Sequence, residues 1–206
     1  MIFPASGLYA ITQTDGKTSD KVIQDVSSAL KGGASVIQYR DKTSTDKLYL
    51  AKQLLSLCKQ YNVPLLINDD AELAHQIGAD GVHIGKDDGG IARARKILGS
   101  KAIIGLSCYD DIKIALQAEK NGADYVAFGR FFPSNSKPLA LPAHTKTLHL
   151  ARTQINVPVV AIGGILPENG GDLLAAGADL LAVIGGIFDH KPEQSAQAYT
   201  KLFQLK

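Results

Sequence analysis

Eight short apolar runs recur along this chain with longer segments of helical periodicity between them, and few folds accommodate that rhythm. The runs are GLYAIT (7–12), ASVIQYR (34–40), PLLIND (64–69), DGVHIG (80–85), AIIGLS (102–107), DYVAFG (124–129), PVVAIGG (158–164) and DLLAVIGG (179–186). Each is too short for a helix and rich in Val, Ile and Tyr. Several are continuously apolar, as strands of a parallel sheet covered on both faces are. Between them, DKLYLAKQLLSLCKQ (46–60) and DIKIALQAEKNG (111–122) carry apolar residues at helical spacing. This alternation predicts a parallel α/β architecture.

A second periodicity narrows the choice. GGAS (32–35) and GAD at 78–80, 122–124 and 177–179 each end a helical segment and lead into every second apolar run. A glycine there suits a left-handed helix cap. The third and seventh runs are announced by Val-Pro instead, at 63–64 and 157–158. Half-barrel repetition with eight strands predicts a closed (β/α)8 TIM barrel rather than an open sheet. With 206 residues and no linker or composition break, one catalytic domain over 1–206 is expected.

Composition removes several classes of function. Lys and Arg number 22 against 20 acids, a net charge of +2, with no basic run longer than two residues. A nucleic-acid binder should show a basic patch or stripe. No segment reaches the roughly 20 apolar residues of a membrane span. MIFPASGLYA reads as neither a charged leader nor a signal sequence. Cys58 and Cys108 are too few for a disulfide framework and lack metal-ligand spacing, so thiols in a reducing cytoplasm are expected. The oligomeric state stays open, a homo-oligomer included.

Barrel enzymes work at the C-terminal ends of their strands, and there the polar residues gather. By the two-residue period Gln38, Arg40 and Lys42 share a face, with Gln38 where an inward core residue belongs. A buried amide is costly unless something satisfies it. The third run ends Asn68-Asp69-Asp70 and the fourth is followed by Lys86-Asp87-Asp88. Carboxylates on neighbouring strands suit Mg²⁺, which takes hard oxygen ligands beside substrate phosphates; capping of the following helices competes for the same residues. Ser107 ends the fifth run. Gly163-Gly164 and Gly185-Gly186 end the seventh and eighth, each before an expected helix start, as in the phosphate site of barrel enzymes. The sixth run opens into GRFFPSNSKPLALP (129–142), a polar loop bounded by prolines. His83 reads as a hydrogen-bonded strand residue, and His75, His144, His149 and His190 as surface residues without partners.

VIQYRDK, LLINDD, GADGVHIG..D, GLSCY, GADYVAFGRFFPSNSKP and VPVVAIGGI..EN, in this order and spacing, resemble thiamine-phosphate synthase from about Gly7 to Phe188. The resemblance implies a barrel enzyme that joins an aminomethylpyrimidine diphosphate to a hydroxyethylthiazole phosphate with one Mg²⁺, giving thiamine phosphate and pyrophosphate. It implies that Gln38, Tyr39, Arg40, Asp41 and Lys42 contact the pyrimidine diphosphate, with Asn68, Ser107 and Lys137. Arg40, Lys42 and Lys137 are the implied catalytic cations, and Asp69 and Asp88 the implied metal ligands. Ser134, Asn135, Ser136, Gly164, Ile184 and Gly185 would hold the thiazole phosphate. Three departures stand out. Ser134 and Ser136 replace threonines common in the family, Lys86 a common glutamine, and Gly185 a frequent serine.

The chemistry so implied is a dissociative substitution that needs no protein nucleophile, so neither cysteine is expected to be catalytic. Two rivals differ in class. A thiazole tautomerase of the same superfamily would place a histidine where Arg130 stands. A non-catalytic phosphate-ligand barrel would bind product without turnover.

Overall fold

The computed structural model describes residues 1–42, 47–85, 88–133 and 141–205. All eight apolar runs are strands: β1 (Gly7–Ile11), β2 (Ala34–Tyr39), β3 (Leu65–Asn68), β4 (Gly81–Ile84), β5 (Ile103–Tyr109), β6 (Tyr125–Gly129), β7 (Val159–Ile162) and β8 (Leu180–Val183). Each pairs in parallel with its neighbours in sequence and β1 closes on β8, so the sheet is the expected closed barrel. Around it run α1 (Ser19–Lys31), α2 (Lys47–Gln60), α3 (Ala71–Ile77), α4 (Gly90–Leu98), α5 (Ile112–Lys120), α6 (Thr145–Gln154), α7 (Pro167–Ala176), the short α8 (Gly185–Phe188) and α9 (Pro192–Leu202). No helix among the described residues is long and apolar enough to cross a membrane.

Alternation along the strands builds two cores. Tyr9, Ile11, Val36, Leu66, Tyr125 and Val160 fill the barrel interior, while Ala10, Ile37, Tyr39 and Val126 pack outward against the helices. Burial of the outer set, largely Val, Leu, Ile and Ala from both layers, is the main favourable term holding the helices on the sheet. The helix α9 returns to the start of the chain. Its buried Tyr199 hydroxyl donates to the Ile165 carbonyl at 2.9 Å, tying the last helix to the β7–α7 connection.

The repeated GAD is more than a helix stop. Gly78 is the anticipated left-handed cap, at φ 68 and ψ 40. In GGAS the cap residue Gly32 is right-handed at φ −75, and the positive φ belongs to Gly33. The aspartates do the further work. Asp80, Asp124 and Asp179 each accept the backbone N–H of the first or second residue of the preceding strand: Leu65 at 3.0 Å, Ile104 at 2.8 Å and Val159 at 2.9 Å. Their own N–H groups donate back to the carbonyls of those same residues. Strand pairs β3–β4, β5–β6 and β7–β8 are therefore stapled at the N-terminal rim, where a strand's first N–H would otherwise be buried without a partner.

Replacing Asp179 by Ala leaves the Val159 N–H unmet, and we expect a loss of about 1–3 kcal/mol. Urea unfolding should show it, with Asp179→Asn recovering part of the loss through its amide oxygen. Turnover per folded molecule should not change, because the staple lies at the rim opposite the strand ends where barrel enzymes work.

Candidate active site

The C-terminal ends of β2, β3 and β4 surround a cavity of about 600 Å³. Asp41, Lys42, Asn68, Asp69 and Asp88 line it, joined by Lys47 and Arg93 from α2 and α4. Arg40 is positioned from β1: the Thr12 hydroxyl accepts the Arg40 N–H at 2.9 Å and donates to its carbonyl at 3.1 Å. Tyr39 turns the other way. Its ring is buried in the helix-facing core, and its hydroxyl donates to Asp41 at 2.9 Å, fixing a carboxylate of the cavity wall.

Capping and ligation, which compete for Asp69 and Asp70 in the sequence, are divided between them. Asp70 caps α3, accepting the Leu73 N–H at 2.9 Å. Asp69 has φ 64, a left-handed conformation that costs a residue with a side chain. That turn releases Asp69 from the cap and leaves it on the cavity wall, where one carboxylate oxygen accepts from the Asn68 amide at 2.6 Å. Asp88 likewise caps nothing. The N-cap of α4 is Gly89, and Asp88 instead accepts the Gly85 N–H at 2.6 Å. Asp69 and Asp88 thus offer two oriented carboxylates beside the ammonium groups of Lys42 and Lys47. Among the described residues no three metal-binding side chains converge. A hard cation such as Mg²⁺ needs only one or two carboxylates with phosphate and water, so the donor set suits it.

The barrel interior carries the other polar group. Gln38 points inward at 2% exposure, and its amide is satisfied by protein: Nε2 donates to the Tyr9 hydroxyl at 2.8 Å. Tyr9 meets the Tyr125 hydroxyl at 2.8 Å, Tyr125 meets Nδ1 of His83 at 2.8 Å, and Nε2 of His83 meets the Ser107 hydroxyl at 2.9 Å. Gln38 and Ser107, both implied substrate contacts, are thereby the two ends of one chain of hydrogen bonds. Ser107 does not end its strand, since β5 continues to Tyr109.

At the opposite side, the chain leaving β6 lies along β7. Phe131 and Phe132 donate to the carbonyls of Ile162 and Gly163 at 3.2 and 2.9 Å. Gly164 has φ 63, and a Cβ there would meet the Phe132 side chain at 2.8 Å, so this close approach requires glycine. Ala143 donates to the Arg130 carbonyl at 2.7 Å, returning the far flank to the same place. Ser134, Asn135, Ser136 and Lys137 lie outside the described residues, as does Lys86. Helix starts are uneven: α8 begins at Gly185, whereas α7 begins at Pro167, three residues after Gly164. Ile184 packs against the inner core just before α8, and a side chain at Gly185 would run into the Asp189 carboxylate. A serine there would need the Asp189 carboxylate to move aside, and nothing in the backbone demands glycine.

Several contributors escaped the sequence. Tyr9, Tyr125, Lys47 and Arg93 carry no mark in the sequence that sets them apart from core aromatics and helix charges. Asn169 holds the β7–α7 loop, donating to the Gly164 carbonyl at 3.3 Å while accepting the Leu166 N–H at 2.8 Å. The tyrosines fall on inward positions of their strands, a signal that was available. One expectation fails outright. His144 is not without a partner: its Nδ1 meets Asp110 at 2.7 Å. Burial works against the Asp110 carboxylate, but bonds from His144 and Thr147 outweigh it and hold its pKa below the usual range.

A family model described as thiamine monophosphate synthase matches residues 8–187. The thiamine-phosphate synthase of Nitrosococcus oceani is 53% identical over 194 residues, 93% of this chain and 89% of that protein. That of Methylococcus capsulatus is 48% identical over 188 residues, 90% and 84% of the two chains. Among solved structures, the thiamine phosphate pyrophosphorylase of Pyrococcus furiosus superposes with a TM-score of 0.88 at 32% identity, covering 98% of this chain and 96% of that one.

Neither cysteine belongs to the cavity wall. Cys58 and Cys108 are free thiols, fully buried, and burial pushes each up to about 12. A thiolate is the reactive form, so a disulfide-exchange reagent at pH 8 should label neither thiol in the native protein and both after unfolding in guanidinium.

Proposed function

The chain belongs to the thiamine monophosphate synthase family, and on that premise we propose how its residues divide the work. The enzyme is a transferase that joins the pyrimidine methylene carbon to the thiazole nitrogen, giving thiamine phosphate and releasing pyrophosphate. The observation that carries the residue assignment is the cavity at the ends of β2, β3 and β4, where two oriented carboxylates face lysine ammonium groups in one polar recess.

In this reading Asp69 and Asp88 hold one Mg²⁺. When bound, the ion supplies positive charge against the diphosphate leaving group. Arg40 and Lys42, with Lys137 from the loop, hold the remaining diphosphate oxygens, and Asp41, steadied by Tyr39, flanks them. Gln38, Asn68 and Ser107 orient the pyrimidine ring. Ser134, Asn135, Ser136, Gly164, Ile184 and Gly185 hold the thiazole phosphate on the β6–β8 side.

The C–O bond to diphosphate breaks with its electron pair leaving on oxygen. The amino-substituted ring stabilises the methylene cation, and the lone pair of the thiazole nitrogen forms the new C–N bond. The protein's share is to fix both rings at attack distance and to stabilise charge as it develops. No thiol takes part. A tautomerase reading lacks its histidine, since Arg130 follows β6. A cytoplasmic setting belongs to the same reading and is supported by the two free thiols.

The test mixes the pyrimidine diphosphate and the thiazole phosphate with the protein, with and without Mg²⁺, and measures thiamine phosphate after oxidation to its thiochrome. Mg²⁺-dependent product is expected, and its absence with both substrates intact overturns the reading. Asp69→Ala should lower turnover at least about a hundredfold, the weight of several kcal/mol of charge stabilisation. Asp70→Ala should instead lose about 1 kcal/mol of stability from the α3 cap. Cys108→Ala should turn over within about threefold of the parent, because an uninvolved buried thiol affects packing rather than chemistry.

A further inference from the structure

A TIM-barrel interior is ordinarily filled with branched apolar side chains, yet this one holds a continuous polar chain from β2 to β5 by way of β1, β6 and β4. The links are Gln38–Tyr9, Tyr9–Tyr125, Tyr125–His83 and His83–Ser107, at 2.8, 2.8, 2.8 and 2.9 Å. Space has been cleared for it. A Cβ on Gly105 would fall inside the Tyr125 ring. Phe3 stacks on that ring from the other side at 4.0 Å between centroids and 6° between planes, and Tyr9 meets it edge-on at 5.9 Å and 68°. Tyr125 therefore has one position.

We propose that Tyr9, Tyr125 and His83 are positioning residues that fix the polarity of this chain, so that Ser107 presents its hydroxyl proton to a ring nitrogen of the bound pyrimidine. The proposal rests on the reading that Gln38 and Ser107 contact that ring.

The polarity follows from the Gln38 end. An amide N–H only donates, so the Tyr9 oxygen accepts and its single proton goes on to Tyr125. Tyr125, having accepted, gives its own proton to Nδ1 of His83. That nitrogen carries the lone pair, which leaves the ring proton on Nε2, donated to the Ser107 oxygen. The serine's own proton is then left for a group outside the chain. Both phenols keep their protons because burial, before any other cause, raises them. The reverse polarity would set the Tyr9 proton against the Gln38 N–H, two donors face to face in a buried place, which is costly.

A donor at this point selects among protonation states of the substrate. It favours a ring nitrogen that has its lone pair, because one that carries a proton leaves the serine's own proton without that acceptor. The unprotonated aminopyrimidine is the form that releases electron density towards its methylene carbon, so the chain favours the form that can lose diphosphate.

The experiment begins with nitrogen-15 NMR of the histidines in the full-length protein, with His83→Asn used to assign the signal. His83 is expected as the Nε2–H tautomer. Finding it protonated on Nδ1, or on both nitrogens, overturns the proposal. Tyr125→Phe removes the central link and keeps the ring. It should mix the His83 tautomers and lower kcat/KM for the pyrimidine diphosphate about three- to tenfold, the weight of one neutral hydrogen bond. KM for the thiazole phosphate should not move. In the Ser107→Ala background the same change should add nothing, and a loss equal to the product of the two single losses overturns the proposal. If Tyr125→Phe does not fold, Tyr9→Phe breaks the chain one link earlier and is read in the same way. Wild-type protein that makes no thiamine phosphate would defeat the parent reading, while the His83 tautomer would still decide the polarity.

Discussion

A parallel barrel must satisfy the first N–H of its strands at a rim where no neighbouring strand is in register to help. Here carboxylates meet that demand. Asp80, Asp124 and Asp179 each take an N–H at the start of the preceding strand and return one of their own to the same residue. Asp124 also binds the Arg95 guanidinium at 2.8 Å, which draws α4 onto the β5–β6 rim. The order of the sheet, and with it the inward or outward aim of each side chain, is set at this end. One residue of slippage would turn Gln38 out of the lumen and Tyr39 into it.

The division between rims explains what could be read from the sequence. The strands were legible because a sheet buried on both faces needs continuous apolar runs, and each run carries one. Gln38 was legible because an amide interrupts the inward period. Tyr9 and Tyr125 hid inside that period, since a phenol is as apolar as the core demands until its hydroxyl finds a partner. In the GAD repeat the glycine is marked by its place at a helix end and the aspartate is not, because a carboxylate beside a turn looks solvated in one dimension. Asp69 and Asp70 could not be separated, since a single left-handed φ decides which of them caps α3. The Asp110–His144 contact spans 34 residues and has no local signature.

The site joins two kinds of environment. Towards the helices, the cavity at the ends of β2, β3 and β4 is open and charged, suited to a group that arrives and leaves with several negative charges. Towards the axis, Gln38, Tyr9 and Tyr125 are buried and the polar chain runs out to half-buried His83 and Ser107, suited to holding an aromatic ring in one orientation. A reaction that parts a charged leaving group from a heterocycle draws on both, and β2 serves both, with Gln38 inside the barrel and Arg40 just beyond the strand's end.

The void at Gly105 carries a further meaning for how this protein can change over time. The ring of Tyr125 occupies the volume that a side chain at 105 would need, so the two positions form a single unit of inheritance. Position 105 cannot enlarge alone. A larger residue at 105 is admissible only in a lineage that has already lost the aromatic ring at 125, and that loss would strand the hydroxyl of Tyr9 and the imidazole of His83 together. Enlargement at 105 thus comes second in any such history, after the ring and its hydroxyl are gone.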